Sequence, residues 1–201
     1  MSRILILYYS RNGSTAALAR QVCRGVERVP GAVAVLRTVP SVSPDNVASE
    51  PEFPEQGPPY VTIQDLSGAD GLLLGSPTRF GNMAAPMKHF LDSTGDVWLS
   101  GALAGKPAGV FTSTGTAHGG QESTLLSMML PLLHHGMLLV GLPYTEAALT
   151  DTRSGGTPYG ASHLAGQPPS PTLSDHERSL AQALGERVAR IASTLAPVDT
   201  R

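Results

Sequence analysis

The chain has little cysteine, few aromatic residues and little charge. One cysteine, Cys23, occurs in 201 residues. A single thiol cannot build a disulfide framework or a cysteine-based zinc site, and no metal site is expected. Such usage points to the reducing cytoplasm. Aromatic residues make up 5% of the chain and charged residues 15%, and the formal net charge is −2. With no Lys/Arg cluster there is no electrostatic footprint for nucleic acid. No apolar run approaches the roughly 20 residues of a membrane span. The N-terminal residues lack the regions of a secretory signal, so the glycosylation-like run Asn12-Gly13-Ser14 reads as chance.

What the chain holds in excess is glycine and proline, with 22 and 17 residues. Their sum is nearly a fifth of the chain, against an average usage of about 12%. Disorder would spread them evenly. Instead, six prolines lie between Pro40 and Pro59, and five between Pro143 and Pro171. A hydrophobic content of 41% is too high for disorder. The reading is one domain over 1–201, with irregular insertions at about 40–60 and 141–171.

The apolar run Ile4-Leu5-Ile6-Leu7-Tyr8-Tyr9 suits a strand buried on both faces. Leu18, Ala19, Val22, Cys23 and Val26 then share one helix face, which makes Cys23 a packed hydrophobe. Further strands are predicted over 33–39, 70–76, 108–113 and 137–140, and helices over 64–69, 84–93 and 121–135. Leu125, Met128, Met129, Leu132 and Leu133 should face inward, and Pro131 should kink or end its helix. Ser174-Asp175-His176-Glu177 is a capping box that opens a last helix with Leu180, Leu184, Val188, Ile191 and Leu195 inward. Alternating βα units imply a doubly wound, five-stranded parallel sheet.

Ligands in such sheets bind beyond the carboxyl ends of the strands. After the first strand come Ser10, Arg11, Asn12, Gly13, Ser14 and Thr15, with three hydroxyls, a glycine and a helix N-terminus. That combination suits an anion, although a plain capped turn also favours Ser and Asn. G-x-G-x-x-G is absent, and the run from Gly101 to Pro107 is one residue short of a P-loop and lacks its Ser/Thr. After the third strand come Pro77, Thr78, Arg79, Phe80, Gly81, Asn82 and Met83. They suit the edge of a flat aromatic ligand, or read blandly as a surface charge and a core ring. After the fourth strand come Ser113, Thr114, Gly115, Thr116, Ala117, His118, Gly119 and Gly120, too rich in Gly and hydroxyl for a mere connector.

These loops resemble flavodoxin-like proteins, and most closely the WrbA family of NAD(P)H:quinone oxidoreductases. The resemblance rests on Leu7-Tyr8-Tyr9-Ser10, Pro77-Thr78-Arg79-Phe80-Gly81-Asn82-Met83, Gly119-Gly120-Gln121-Glu122, His134-His135-Gly136-Met137 and Gly155-Gly156-Thr157-Pro158-Tyr159-Gly160. It implies strand order 2-1-3-4-5 with helices on both faces. It also implies bound FMN, NAD(P)H as hydride donor, a quinone as acceptor and a homotetramer. Residues 10–15 would wrap the FMN phosphate. Pro77, Thr78, Arg79 and Phe80 would line the ring, and Ser113, Thr114, Gly115, Thr116, Ala117, His118 and Gly119 its pyrimidine end. His134 matches the family's active-site histidine, which also contacts the cofactor. Trp98 matches the aromatic residue that stacks on the substrate. Asn12 stands where the family often has an aromatic residue associated with the dinucleotide, and Ala117-His118 adds a residue to its loop. The implied reaction is ping-pong two-electron reduction, which avoids a semiquinone and serves quinone detoxification. Two readings of another class are a flavodoxin-type carrier and a regulatory binding protein. The near-neutral charge and two insertions disfavour the first, and no feature specifies a face for the second.

Overall fold

The computed structural model describes residues 1–43 and 54–195. Residues 44–53 of the first insertion lie outside the described residues. The elements are β1 (Ser2–Tyr8), α1 (Ser14–Val26), β2 (Ala32–Thr38), α2 (Ile63–Ser67), β3 (Gly71–Pro77), α3 (Ala85–Asp92) and α4 (Gly95–Leu99). They continue with β4 (Pro107–Thr114), α5 (Gln121–His134), β5 (Leu138–Leu139), α6 (Ala147–Asp151), β6 (Ala161–Leu164) and α7 (Asp175–Leu195). The sheet is parallel, in the expected order β2-β1-β3-β4-β5, with β6 added on β4.

The sixth strand corrects the sequence reading. The fifth strand arrives in two pieces on the same neighbour. β5 pairs with Pro107 and Ala108 at the start of β4, and β6 with Phe111, Thr112, Ser113 and Thr114 at its end. The second insertion is thus a loop that carries α6 and returns to finish the strand. Ala161-Ser162-His163-Leu164 has neither an apolar run nor a clean alternation, so its pattern hides the strand. Its polar members are buried because hydrogen bonds satisfy them.

The apolar runs are buried on both sides for a simple reason. Along β1, Ile4, Ile6 and Tyr8 enter a core with α1 and α7, whereas Leu5 and Leu7 enter another with α2, α3, α4 and α5. Leu73 and Leu72/Leu74 divide β3 in the same way. Helices therefore cover both faces, and strand-end loops are left to carry function. Leu125, Met128 and Leu132 of α5 are buried as expected, but Leu133 is exposed, and so is Leu195 of α7. Pro131 does not end α5, since only one turn remains after it. The helix closes instead at Gly136 (φ +74), with Met137 N–H on the Leu132 carbonyl and Gly136 N–H on that of Leu133. The capping box of α7 forms as predicted, with Ser174 N–H on Glu177 Oε2 at 2.8 Å and Glu177 N–H on Ser174 Oγ at 3.2 Å.

α1 and α7 touch backbone to backbone. A Cβ on Gly185 would lie 2.1 Å from the Val22 carbonyl oxygen, and one on Gly25 would lie 1.9 Å from that of Gln182. The contact fixes α1, and with it the strand-end loop that α1 begins. Gly185→Ala should lower the thermal midpoint by roughly 2–10 °C despite alanine's helix propensity. Gly95→Ala, whose Cβ meets nothing within 4 Å, should leave it nearly unchanged. Equal midpoints in a thermal melt would contradict the close approach.

Candidate functional site

The N-terminus of α1 sits at the carboxyl end of β1, between β2 and β3, where the strand order reverses. Its cap is Gly13 (φ +82), a left-handed conformation that glycine adopts without strain, and the cap residue has no side chain to offer. Ser10 Oγ accepts from Ala16 N–H at 3.2 Å. Among the described residues, the N–H groups of Ser14 and Thr15 have no protein partner. Orphan donors of this kind at a helix N-terminus attract anions.

A narrow cleft of about 90 Å³ opens there, lined by Ser10, Arg11, Asn12, Ser14, Thr15, Pro77, Thr78, Arg79, Ser113, Thr114, Gly115, Ala165 and Pro169. Three strand ends thus meet as the sequence implied. The joints are polar: Thr15 Oγ1 and Ser113 Oγ lie 2.8 Å apart, Thr78 N–H donates to the Ser113 carbonyl, and Thr124 Oγ1 donates to Thr78 Oγ1. Among the described residues no acidic side chain lines the cleft. Hydroxyls, uncapped N–H groups and Arg11 form a donor set that fits a phosphate monoester. A wider cavity of about 510 Å³ shares Arg11 and Arg79 with the cleft and adds Tyr9, Asn82 and Lys88.

Ala165 and Pro169 also line the cleft. They belong to the second insertion and form a third wall. No motif marks them, because only the β6 pairing brings them to β4. The run of residues 155–160 packs inward in this chain: Gly156 N–H donates to Ser162 Oγ at 2.7 Å, and a Cβ on Gly160 would meet the Val110 carbonyl oxygen at 2.1 Å.

Several expected residues stand outside the cleft. Phe80 projects fully into solvent, because Arg79 and Asn82 exchange both backbone hydrogen bonds around Phe80 (φ +52) and Gly81 (φ +78). Two positive φ angles in a two-residue connection mark a type I′ turn, which aims the ring away from the cleft. Thr116, Ala117, His118 and Gly119 are exposed beyond its lining.

Trp98 and His134 lie elsewhere. They line another cavity, of about 540 Å³, with Lys88, Asp92, Thr94, Leu130 and His135. The N-terminus of α5 is against Thr78, yet His134 is at its other end, about 20 Å away at 1.5 Å per residue. The chain then enters β5 beside Pro107, at the opposite sheet edge from Ser113. One chain therefore does not bring Trp98 or His134 to its own cleft. His135 is buried beside them. Thr94 Oγ1 donates to the Leu91 carbonyl, so His135 Nε2–H donates to Thr94 at 3.0 Å. Burial, then the neighbouring His134, holds the His135 pKa below its ordinary value. Cys23 packs against the α1–α7 core, and burial pushes its thiol up to about 11, which leaves it inert. Among the described residues no cluster of three or more His, Cys, Asp or Glu is placed to hold a metal, and no helix is long and apolar enough to cross a membrane.

The phosphate fit has a direct test. Thr15→Val keeps the shape and removes the hydroxyl. It should weaken FMN binding by roughly tenfold to a hundredfold, the value of a hydrogen bond to a charged group. Riboflavin, which lacks the phosphate, should bind both proteins alike. Equal losses for both flavins in a fluorescence titration would move the phosphate away from Thr15.

The profile of the NADPH-dependent FMN reductase family matches residues 2–147. A Geobacter sulfurreducens protein named NAD(P)H dehydrogenase (quinone) is 48% identical over 199 residues, covering 96% of this chain and 98% of its own. A protein of the same name from Solidesulfovibrio magneticus is 45% identical over the same shares. Among solved structures, a WrbA-like flavodoxin from Agrobacterium tumefaciens superposes with a TM-score of 0.68 at 23% identity, over 96% of this chain and 99% of that one. An archaeal flavodoxin gives 0.62 at 18% identity, over 95% and 99%. The last two establish the flavodoxin-like fold, and the profile with the near-full-length relatives establishes that the chain belongs to the NADPH-dependent FMN reductase family.

Proposed function

We propose that the protein reduces quinones with NAD(P)H by a ping-pong, two-electron route through FMN, as a cytoplasmic homotetramer that protects against quinone toxicity. The single observation that carries this reading is the hydroxyl-rich cleft at the N-terminus of α1, with no acidic side chain among the described residues that line it. The curated relatives, named NAD(P)H dehydrogenase (quinone) over almost their whole length, support the activity. The protein is an FMN-dependent oxidoreductase of that kind.

Bound FMN would supply the two-electron relay between NAD(P)H and the quinone. The side chains bind and orient. The Ser10 and Thr15 hydroxyls and the free N–H groups of Ser14 and Thr15 that follow Gly13 hold the phosphate, with Arg11 adding charge and Asn12 at the rim. Pro77, Thr78 and Arg79 border the ring on one side. Ser113, Thr114 and Gly115 border the ring where negative charge gathers on reduction, and donors there, the Ser113 hydroxyl and the Gly115 backbone, would favour the reduced state. The nicotinamide must leave before the quinone enters the same space.

Assembly completes the site in this reading. Phe80, Trp98, Leu99 and the α5 stripe Leu126, Leu130, Leu133 are exposed apolar side chains, a surface of the kind that marks subunit contacts. A second copy packed there delivers Trp98 and His134 over the first copy's cleft, Trp98 stacking on the substrate and His134 beside it. Within one chain Trp98 and His134 line a separate cavity.

With NADH or NADPH and benzoquinone, double-reciprocal plots should be parallel. Converging lines would rule out ping-pong, and a protein that takes up no FMN and shows no turnover would overturn the whole reading. Trp98→Ala should lose turnover while retaining FMN. Co-assembled with Thr15→Val subunits, it should regain part of the lost activity, because intact clefts then meet intact tryptophans. Mixed assemblies no better than either variant alone would return Trp98 to its own subunit.

A further inference from the structure

The third wall of the cleft is held by a buried ion pair, Glu177 with His163, that has no part in the binding roles given above. Glu177 is 1% exposed at the start of α7, and all its acceptor positions are used. Oε1 accepts from Gly155 N–H and Leu164 N–H, each at 2.9 Å, and Oε2 accepts from Ser174 N–H at 2.8 Å and His163 Nδ1 at 3.0 Å. His163 Nε2 lies 2.8 Å from the Ser170 carbonyl oxygen. That oxygen also accepts from Ser14 Oγ at 3.1 Å, and Ser170 N–H closes a turn onto the Ala165 carbonyl at 2.8 Å. The turn carries Ala165 and Pro169, and Ser14 is the first residue of α1.

Both ring nitrogens of His163 face groups that only accept, a carboxylate and a carbonyl. A neutral ring has one N–H and can satisfy one of them. With Glu177 ionised, as its three backbone N–H donors favour, satisfying both nitrogens takes the imidazolium. The surroundings are consistent. From α7 the charged group facing the ring is Glu177; Asp175 and His176 are exposed, and Arg178 turns to Asp175 and the Leu173 carbonyl. From β4 its register partner is Ser113, and from α1 the nearby hydroxyl is Ser14, both uncharged. Burial opposes the charge on His163, but the bonds to Glu177 and Ser170 and the Glu177 charge outweigh it and raise the pKa above 6.5. Burial likewise opposes the Glu177 charge, but His163 and the three backbone donors bring its pKa down to about 2.

We propose that His163 is a positioning residue for the FMN phosphate site: as the imidazolium it holds the 165–170 turn against α1, and on deprotonation it lets the turn go and weakens FMN binding. The proposal rests on the FMN reading of the cleft. When the ring loses its second proton, Nδ1–H stays with the carboxylate, and the Nε2 lone pair faces the Ser170 carbonyl. Two acceptors then repel where a charged hydrogen bond had been. Ser170 shifts, Ser14 loses its acceptor, and the wall formed by Ala165 and Pro169 retreats.

The test is FMN affinity of the apoprotein against pH, followed by flavin fluorescence. The range from about pH 7 to about pH 10 lies above the phosphate's own second pKa of about 6. In the unaltered protein Kd should rise through the His163 pKa, by about tenfold for each unit by which FMN raises that pKa. His163→Gln should bind more weakly near neutrality and show no such rise, and riboflavin should show none with either protein. Matching FMN profiles for the unaltered protein and His163→Gln would overturn the proposal. No FMN binding by the unaltered protein at any pH would overturn the FMN reading instead. Should His163→Gln fail to fold, the His163 ring is titrated by NMR in the unaltered protein: a higher pKa with FMN than without supports the role, and an unchanged one ends it.

Discussion

An α-helix begins with backbone donors that its own hydrogen bonds cannot reach, and α1 begins with glycine rather than a capping side chain. The cost of those orphan groups is met only by something brought to them. Around this one constraint the rest of the site is arranged. β1 delivers the helix at the point where strand order reverses, so neighbouring loops diverge and leave a crevice. α7 clamps α1 through backbone contact at Gly25 and Gly185, so the donors are held and not merely present. The loops after β3 and β4 then close around them, joined by Thr15, Ser113 and Thr78.

The second insertion extends this logic at some energetic risk. A buried carboxylate is costly unless paired and fully hydrogen-bonded. Glu177 meets that condition with three backbone donors and an imidazolium, and so becomes the knot that ties residues 155, 163, 164 and 174 together. The pH window of this stability follows from the signs of the two shifts. The Glu177 contribution is present above 4.5 and fades as pH falls toward about 2. The His163 contribution is complete below 6.5 and fades as pH rises through its raised value. The pair thus gives most between those ordinary values, and loses its histidine half on the alkaline side.

Much of this was legible in the residues. Runs such as 4–9 and 70–76 read as strands covered on both faces, and three strand-end loops rich in Gly and hydroxyl announce a ligand edge. The illegible parts have physical causes. β6 hides because its Ser162 and His163 are buried by pairing with Gln121 and Glu177, a long-range fact that no local period carries. α4 hides because five residues are too few for a helical pattern, although it carries Trp98. Phe80 reads as a ring-lining residue until the type I′ turn fixes its direction. Trp98 and His134 look like members of the same site because motif order says nothing of helix length. A fourteen-residue α5 separates them from Ser113 by the height of the sheet.

The central claim is that the cofactor phosphate lies on the uncapped start of α1, walled in by the second insertion. Phosphorus NMR of the FMN-loaded protein tests it most directly. A phosphate held by backbone N–H groups and hydroxyls stays dianionic, so its resonance should not move between about pH 5 and pH 8. A resonance that titrates near pH 6, as free phosphate monoester does at about that value, would place the group in water and contradict the account.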